Sequence, residues 1–142
     1  MSGYPSALLI IDMQNDFCHK EGVFHRHGIS VPESLKKIVK NISETTLFAK
    51  KMNIPIIATQ VTILEDMNGN AIGVEHLKRL KPFLIKEGLR EGTWGRDVID
   101  DLSEIDFFIK KWGGSCFYQT ELQHLLTALG VDELILTGFT TN

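Results

Sequence analysis

Cysteine is scarce in this chain: two residues in 142, Cys18 and Cys116. Two thiols make no disulfide framework, and their separation fits no metal-ligating spacing, which excludes a stapled secreted scaffold and a zinc module. Long apolar runs are missing too. None approaches a membrane span, and the N-terminal residues do not place a basic stretch before a long apolar one. There is no excess of basic charge. Lys plus Arg number 15 against 18 Asp plus Glu, a formal net charge of −3. With no basic block, neither nucleic acid nor an anionic membrane is the expected partner, and the expected location is the cytoplasm. Internal repeats, low-complexity segments and linkers are absent as well. What remains is an ordinary globular composition, 43% hydrophobic and 23% charged, with enough length for one domain and a real core.

The stretch Ala7-Leu8-Leu9-Ile10-Ile11-Asp12 organises the rest. Five apolar residues without a polar break read as a parallel strand buried on both faces. Its terminal carboxylate is costly at the edge of a core unless paired. Ligands of open α/β sheets bind beyond the carboxyl ends of the strands, which is where Asp12 falls. Ile54 to Thr59, with Pro55 at its start, is a second such strand. Asp106 to Lys111 is a third, and Glu133 to Gly138 a fourth. Ser30-Val31-Pro32-Glu33 has the pattern of a capping box, and Leu35, Ile38, Val39, Ile42, Ala49 and Met52 follow a helical stripe, so one helix is expected over 31–52. Lys36, Lys37, Lys40, Lys50 and Lys51 form its solvated side. Strand, helix and strand make a βαβ unit, which requires parallel strands.

Between the strands the signals are weaker. Met13 to Phe17 reads as a polar loop, and residues 18–29 as a solvated loop in which His25-x-His27 lacks the further ligands of a metal site. Residues 61–95 show no clean period. Asn68-Gly69-Asn70 marks a turn, and Leu77 to Ile85 reads as partly helical or as an arm packed on another subunit. Trp94 stands between two glycines, equally suited to packing and to lining a pocket. Arg96 to Leu102 reads as a short helix. Thr120-Glu121-Leu122-Gln123 is a second capping-box pattern, opening a helix with Leu122, Leu125, Leu126 and Leu129 on one face and Gly130 at its end.

Two strands thus end in opposite charges, Asp12 on the first and Lys110 or Lys111 on the third. On one edge of a parallel sheet these ends converge. A carboxylate beside an ammonium keeps both ionised and can activate a nucleophile, although a purely structural salt bridge fits the same pattern.

Four motifs then carry a resemblance. Ile11-Asp12-Met13-Gln14-Asn15-Asp16-Phe17 resembles the opening signature of the isochorismatase-like cysteine hydrolases. Glu91-Gly92-Thr93-Trp94-Gly95 resembles a segment of their amide- and ureido-hydrolysing branch. Lys111-Trp112-Gly113-Gly114-Ser115-Cys116-Phe117, with Thr120 and Leu122, is similar to the family's lysine loop. Thr137-Gly138-Phe139-Thr140-Thr141-Asn142 is similar to the approach to its nucleophile. The resemblance implies a three-layer α/β/α fold with a six-stranded, doubly wound parallel sheet, of which four strands are readable here. It implies a single domain over 1–142 whose C-terminal part is missing, and an Asp-Lys-Cys triad with Asp12 as base and Lys111 rather than Lys110 as the lysine. The family's cysteine comes two positions past the residue aligned with Asn142. Cys18 and Cys116 are not expected to replace it, and Cys116 reads as packing.

The implied activity is hydrolysis of a C–N bond in a small amide or ureido compound through a thioester. Asn15, Phe17 and Trp94 are the candidate substrate contacts. The Asp-x-His metal site of the family's nicotinamidases has no counterpart in Gln60 to Asp66, so no metal and no cofactor is expected. Vinyl-ether cleavage, as in true isochorismatases, is not selected by any residue here. Relatives self-associate, which implies a homo-oligomer. Two other classes remain: a catalytically inactive member or fragment that binds a partner, and a flavodoxin-like binding module. The second is disfavoured because Met13 to Phe17 offers no glycine for a phosphate loop.

Overall fold

The first apolar run becomes an interior strand. In the computed structural model, which describes residues 3–139, strand β1 (Ser6–Ile11) has Ala7, Leu8, Leu9 and Ile10 completely buried. Leu8 and Ile10 enter one apolar cluster, Ala7 and Leu9 another. Alternate side chains therefore go to two cores, and neither face tolerates a polar residue.

Along the chain follow the short helices α1 (Asn15–Cys18) and α2 (Val23–Arg26), the long helix α3 (Leu35–Lys51), strands β2 (Ile56–Val61), β3 (Leu64–Glu65), β4 (Ala71–Ile72) and β5 (Phe107–Lys111), helix α4 (Leu122–Leu129) and strand β6 (Glu133–Gly138). The main sheet has the order β5-β2-β1-β6, and every neighbouring pair is parallel. Leu35, Ile42 and Ala49 of α3 close the core on one face, and Leu122 and Leu126 of α4 close it on the other. This is the expected α/β sandwich with its four parallel strands.

Several boundaries differ from the sequence reading, each for a visible reason. The second strand starts two residues later than expected, because Ile54 N–H still bonds back to Ala49 O of α3 at 2.9 Å. Helix α3 begins at Leu35 instead of residue 31, and the first capping box does not form. Pro32 instead opens a turn closed by Leu35 N–H to Pro32 O at 3.0 Å, and Ser34 at the N-cap makes no side-chain cap bond. Thr46 joins the buried stripe, its hydroxyl donating to Ile42 O at 2.7 Å, whereas Met52 is exposed. The second capping box does not form either: the N-cap is Glu121, with no side-chain cap bond. Thr120 Oγ1 accepts from Leu122 N–H at 3.3 Å, but Gln123 turns to Thr127. Gly130 ends α4 at φ 70° as expected.

Residues 96–102 are not helical. Their backbone groups pair with the loop after β1: Asn15 N–H bonds Asp97 O and Ile99 N–H bonds Met13 O, both at 2.9 Å. A local helix would lose those bonds. The loops expected over 13–17 and 18–29 contain the single turns of α1 and α2. Residues 62–90 form a hairpin of β3 and β4 around Asn68–Asn70 and a 3-10 turn at Pro82–Ile85. They are anchored by a separate cluster of Val23, Ile63, Val74, Leu84 and Leu89. At the sheet's outer strands, Ile135 and Leu136 of β6 and Phe108 of β5 are exposed. The five lysines of α3 are exposed as well.

Candidate active site

Strand β1 stops because Asp12 turns the chain. Its φ of 56° lies in the left-handed region, where a residue with a Cβ is strained and needs outside support. Thr59, fully buried in β2, supplies it twice. Its Oγ1 accepts the Asp12 N–H at 3.2 Å, and its hydroxyl donates to Asp12 Oδ1 at 2.9 Å. The other carboxylate oxygen, Oδ2, lies 2.9 Å from Lys111 Nζ. That ammonium also donates to Gly114 O at 3.1 Å. Asp12 is 5% exposed and Lys111 2%.

The alternation of β5 decides between the two lysines. Lys111 follows Ile109 to the buried side, while Lys110 is exposed and pairs with Glu91. On the other side of β1, Gly138 is required by contact. A Cβ there would lie 2.2 Å from Ile11 O, so only glycine lets β6 leave the sheet so close to Asp12.

Burial pushes the Asp12 carboxyl above its ordinary range, and the Lys111 ammonium and the Thr59 hydroxyl pull it back without fully offsetting that shift. A buried acid in this balance can both take and return a proton. The two thiols behave differently. Burial first, then the Asp12 carboxylate, pushes Cys18 up to about 12. Burial also raises Cys116, with Lys111 opposing. A nucleophilic thiol needs the reverse shift.

The remaining candidates are distributed unevenly. Asn15 and Trp94 are joined: Asn15 Nδ2 donates to Trp94 O at 2.8 Å. Both line a cleft of about 730 Å³ together with Cys18, His19, Leu35 and Ile99. Asp12, Lys111 and Phe17 do not line that cleft. Trp94 is 45% exposed and meets His19 edge-on at 5.0 Å. Phe17 packs on Phe24 at 4.6 Å in the cluster under residues 62–90. His25 lines the cleft, and His27 bonds Glu87 at 2.7 Å. Among the described residues no group of three or more His, Cys, Asp or Glu is placed to hold a metal ion.

Three supporting residues escaped the sequence reading. Thr59 was visible as the last residue of the expected second strand, beside the strand that ends in Asp12. Gln14 is completely buried. It donates to Val61 O at 3.0 Å and Arg96 O at 2.8 Å, and accepts from Val61 N–H at 2.8 Å. Asp16 accepts Val23 N–H at 3.0 Å and Leu89 N–H at 2.7 Å. Both lay inside the opening signature, but nothing local distinguishes a buried amide from a loop residue. Thr140, Thr141 and Asn142 of the fourth motif lie outside the described residues.

Comparison with known proteins bears on this geometry. The isochorismatase domain family matches residues 6–142. A ureidoacrylate amidohydrolase of Pantoea ananatis is 28% identical over 96% of this chain and 59% of its own length. A probable inactive nicotinamidase of Arabidopsis thaliana is 31% identical over 96% of the chain and 66% of its own length. Among solved structures, a cysteine hydrolase from Pseudomonas syringae superposes with a TM-score of 0.80 at 22% identity, covering 99% of this chain and 62% of that one, a likeness of fold. An N-carbamoylsarcosine amidase from Thermoplasma acidophilum gives 0.69 at 25% identity, covering 94% and 66%. The chain spans between 59% and 64% of the first three curated relatives.

Proposed function

We propose, for a chain that belongs to the isochorismatase family, the chemistry of a cysteine hydrolase acting on a C–N bond of a small amide or ureido compound. The observation that carries this reading is the buried Asp12–Lys111 contact of 2.9 Å at the carboxyl rim of the sheet. In the proposed sequence Asp12 takes the proton of a cysteine thiol and Lys111 holds the thiolate. The thiolate adds to the carbonyl carbon, and backbone N–H groups receive the oxyanion. Collapse breaks the C–N bond, and the amine leaves with the proton from Asp12. Water, deprotonated by Asp12, then cleaves the thioester, releasing the acid and restoring the thiol. The nucleophile proposed in this scheme is the cysteine that the family resemblance places after the fourth motif; Cys18 and Cys116, both raised by burial, are not proposed for the role.

Trp94 is proposed as a pocket wall, on the cleft it lines with Asn15; Phe17, proposed for the same role, packs on Phe24 outside that cleft. Asn15 is proposed to act by holding the Trp94 segment. The substrate class draws support from similarity to ureidoacrylate amidohydrolases and an N-carbamoylsarcosine amidase. Self-association through the exposed hairpin side chains Leu64, Met67 and Ile72 is proposed as well.

The test is turnover of a panel of ureido acids and carbamoyl amides by the polypeptide that carries the cysteine. Asp12→Ala and Lys111→Ala should each lower kcat by about 10³-fold or more. Near-normal turnover in either variant overturns the scheme. The second reading is a member that binds without catalysis, favoured by the similarity to a probable inactive nicotinamidase. It predicts that a ureido acid binds in a calorimeter while no amine is released.

A further inference from the structure

We propose that Thr59 is a positioning residue that selects Oδ2 of Asp12 as the oxygen that exchanges protons. The inference deepens the proposed reading and rests on it for the proton-accepting role of Asp12; the hydrogen bonds themselves do not depend on that reading. Asp12 has two carboxylate oxygens in different surroundings. Oδ1 already receives a hydroxyl hydrogen bond at 2.9 Å from a completely buried side chain. Oδ2 faces the Lys111 ammonium at 2.9 Å. The same threonine oxygen accepts the Asp12 N–H at 3.2 Å, which pins the backbone at φ 56°. One side chain therefore fixes both the main chain and the carboxylate plane of the acid. Rotation of the carboxylate would break the bond to the completely buried Thr59 hydroxyl, and a buried unmade bond is unfavourable.

A threonine in a parallel strand is ordinary for its shape alone. What sets Thr59 apart is that its hydroxyl is used as donor and acceptor toward one residue, 47 positions away. A hydroxyl that only needed satisfaction could bond a nearby backbone carbonyl, as Thr62, just past β2, does to Gln60 O at 3.2 Å. The charged group in contact with Asp12 is Lys111 from β5; Cys116 from the loop after it and Cys18 from α1 are the other titratable groups that feel its charge. Asp16, four residues on, has both carboxylate oxygens occupied by the amides of Val23 and Leu89.

The experiment reads Asp12 by carboxyl carbon NMR across pH in the 142-residue chain, with Thr59→Val and Thr59→Ser beside the unmodified protein. Loss of a donor to the ionised form raises the midpoint. The valine variant should therefore titrate higher, and the serine variant, which keeps the hydroxyl, should titrate with the unmodified protein. An unchanged midpoint in the valine variant, or an equal shift in the serine variant, overturns the proposal. Should the valine variant fail to fold, the unmodified chain still decides. The Thr59 hydroxyl bond weakens when Asp12 is protonated, so the Thr59 Cβ resonance must titrate with the Asp12 midpoint. A flat response there is equally fatal. None of these readouts needs turnover, so their failure and the failure of the hydrolase reading are separate results.

Discussion

Two buried carboxylates stand four residues apart, and they do opposite work. Asp12, at the rim of the sheet, faces a hydroxyl and an ammonium. Asp16, in α1, faces backbone. It receives the amides of Val23 and Leu89, its own N–H bonds Gly95 O at 2.7 Å, and its carboxylate lies against Gly95. It joins the α1–α2 turn, the end of the 62–90 excursion and the Trp94 segment. The Asp12 surroundings consist of groups that can gain, lose or stabilise a proton. The Asp16 surroundings consist of donors that can do none of these. Burial by itself therefore does not mark a reactive acid; the chemistry of what touches it does.

The largest effect that would break this contrast is expected at Asp16. Asp16→Ala strands two buried backbone donors. With each charge-assisted bond contributing about 1.5–3 kcal/mol, denaturant melts should show a loss of about 3–6 kcal/mol. Gly95→Ala probes the same knot from outside. A Cβ at Gly95 would lie 2.3 Å from Asp16 Oδ1, so this variant should be destabilised too, with the Asp16 side chain itself retained. If both variants melt like the unmodified protein, the knot is not structural and the two carboxylates are not distinguished in this way.

A smaller effect, and one dependent on pH, is expected at Asp12. Burial raises its folded-state pKa above the ordinary value of 3.8, with Lys111 and Thr59 opposing. The folded state then holds the proton more tightly than the unfolded chain. The resulting stabilisation is fully present below 3.8 and is lost as pH rises through the raised folded value. Asp12→Asn removes this component. Stability of the unmodified chain, measured against that of the variant, should fall with rising pH across the window above 3.8. Exposed acids whose pKa is lowered, such as Glu87 and Glu91, titrate in both proteins and cancel in the difference. A difference that is flat with pH would place Asp12 beside Asp16 as a structural acid.

How much of this the sequence reveals follows the same division. The four strands and the rim pair were legible because each strand carries an apolar run, buried on both faces in β1 and β2 and partly exposed in the outer strands β5 and β6, and Asp12 and Lys111 punctuate two such runs. The knot was not legible. Asp16, Gly95, Val23 and Leu89 come together only after folding, and a carboxylate that bonds distant amides looks like any loop acid. The 96–102 segment failed as a helix for the same reason, since its backbone bonds are made to Met13 and Asn15. Asn15 and Trp94, named for separate reasons, proved to be hydrogen-bonded partners in a cleft that excludes the Asp12–Lys111 pair. Local pattern reports what each segment buries; it does not report which distant segment completes its hydrogen bonds.

The smallest effect should come from the lysine next to the rim pair, and it tests whether position alone assigns the role. Lys110 and Lys111 are adjacent on β5 and chemically identical, yet one pairs with an exposed Glu91 and the other with a buried Asp12. Solvent screens the first pair, and holding two long side chains together opposes it, so Lys110→Ala should leave the denaturant midpoint within experimental error. Lys111→Met leaves Asp12 buried without its cation and should lower stability by about 3–5 kcal/mol near neutral pH, less once acid protonates Asp12. The alternation of a strand, two residues per repeat, is the only difference between these lysines, and equal melts for the two variants would mean that β5 does not present them to opposite faces.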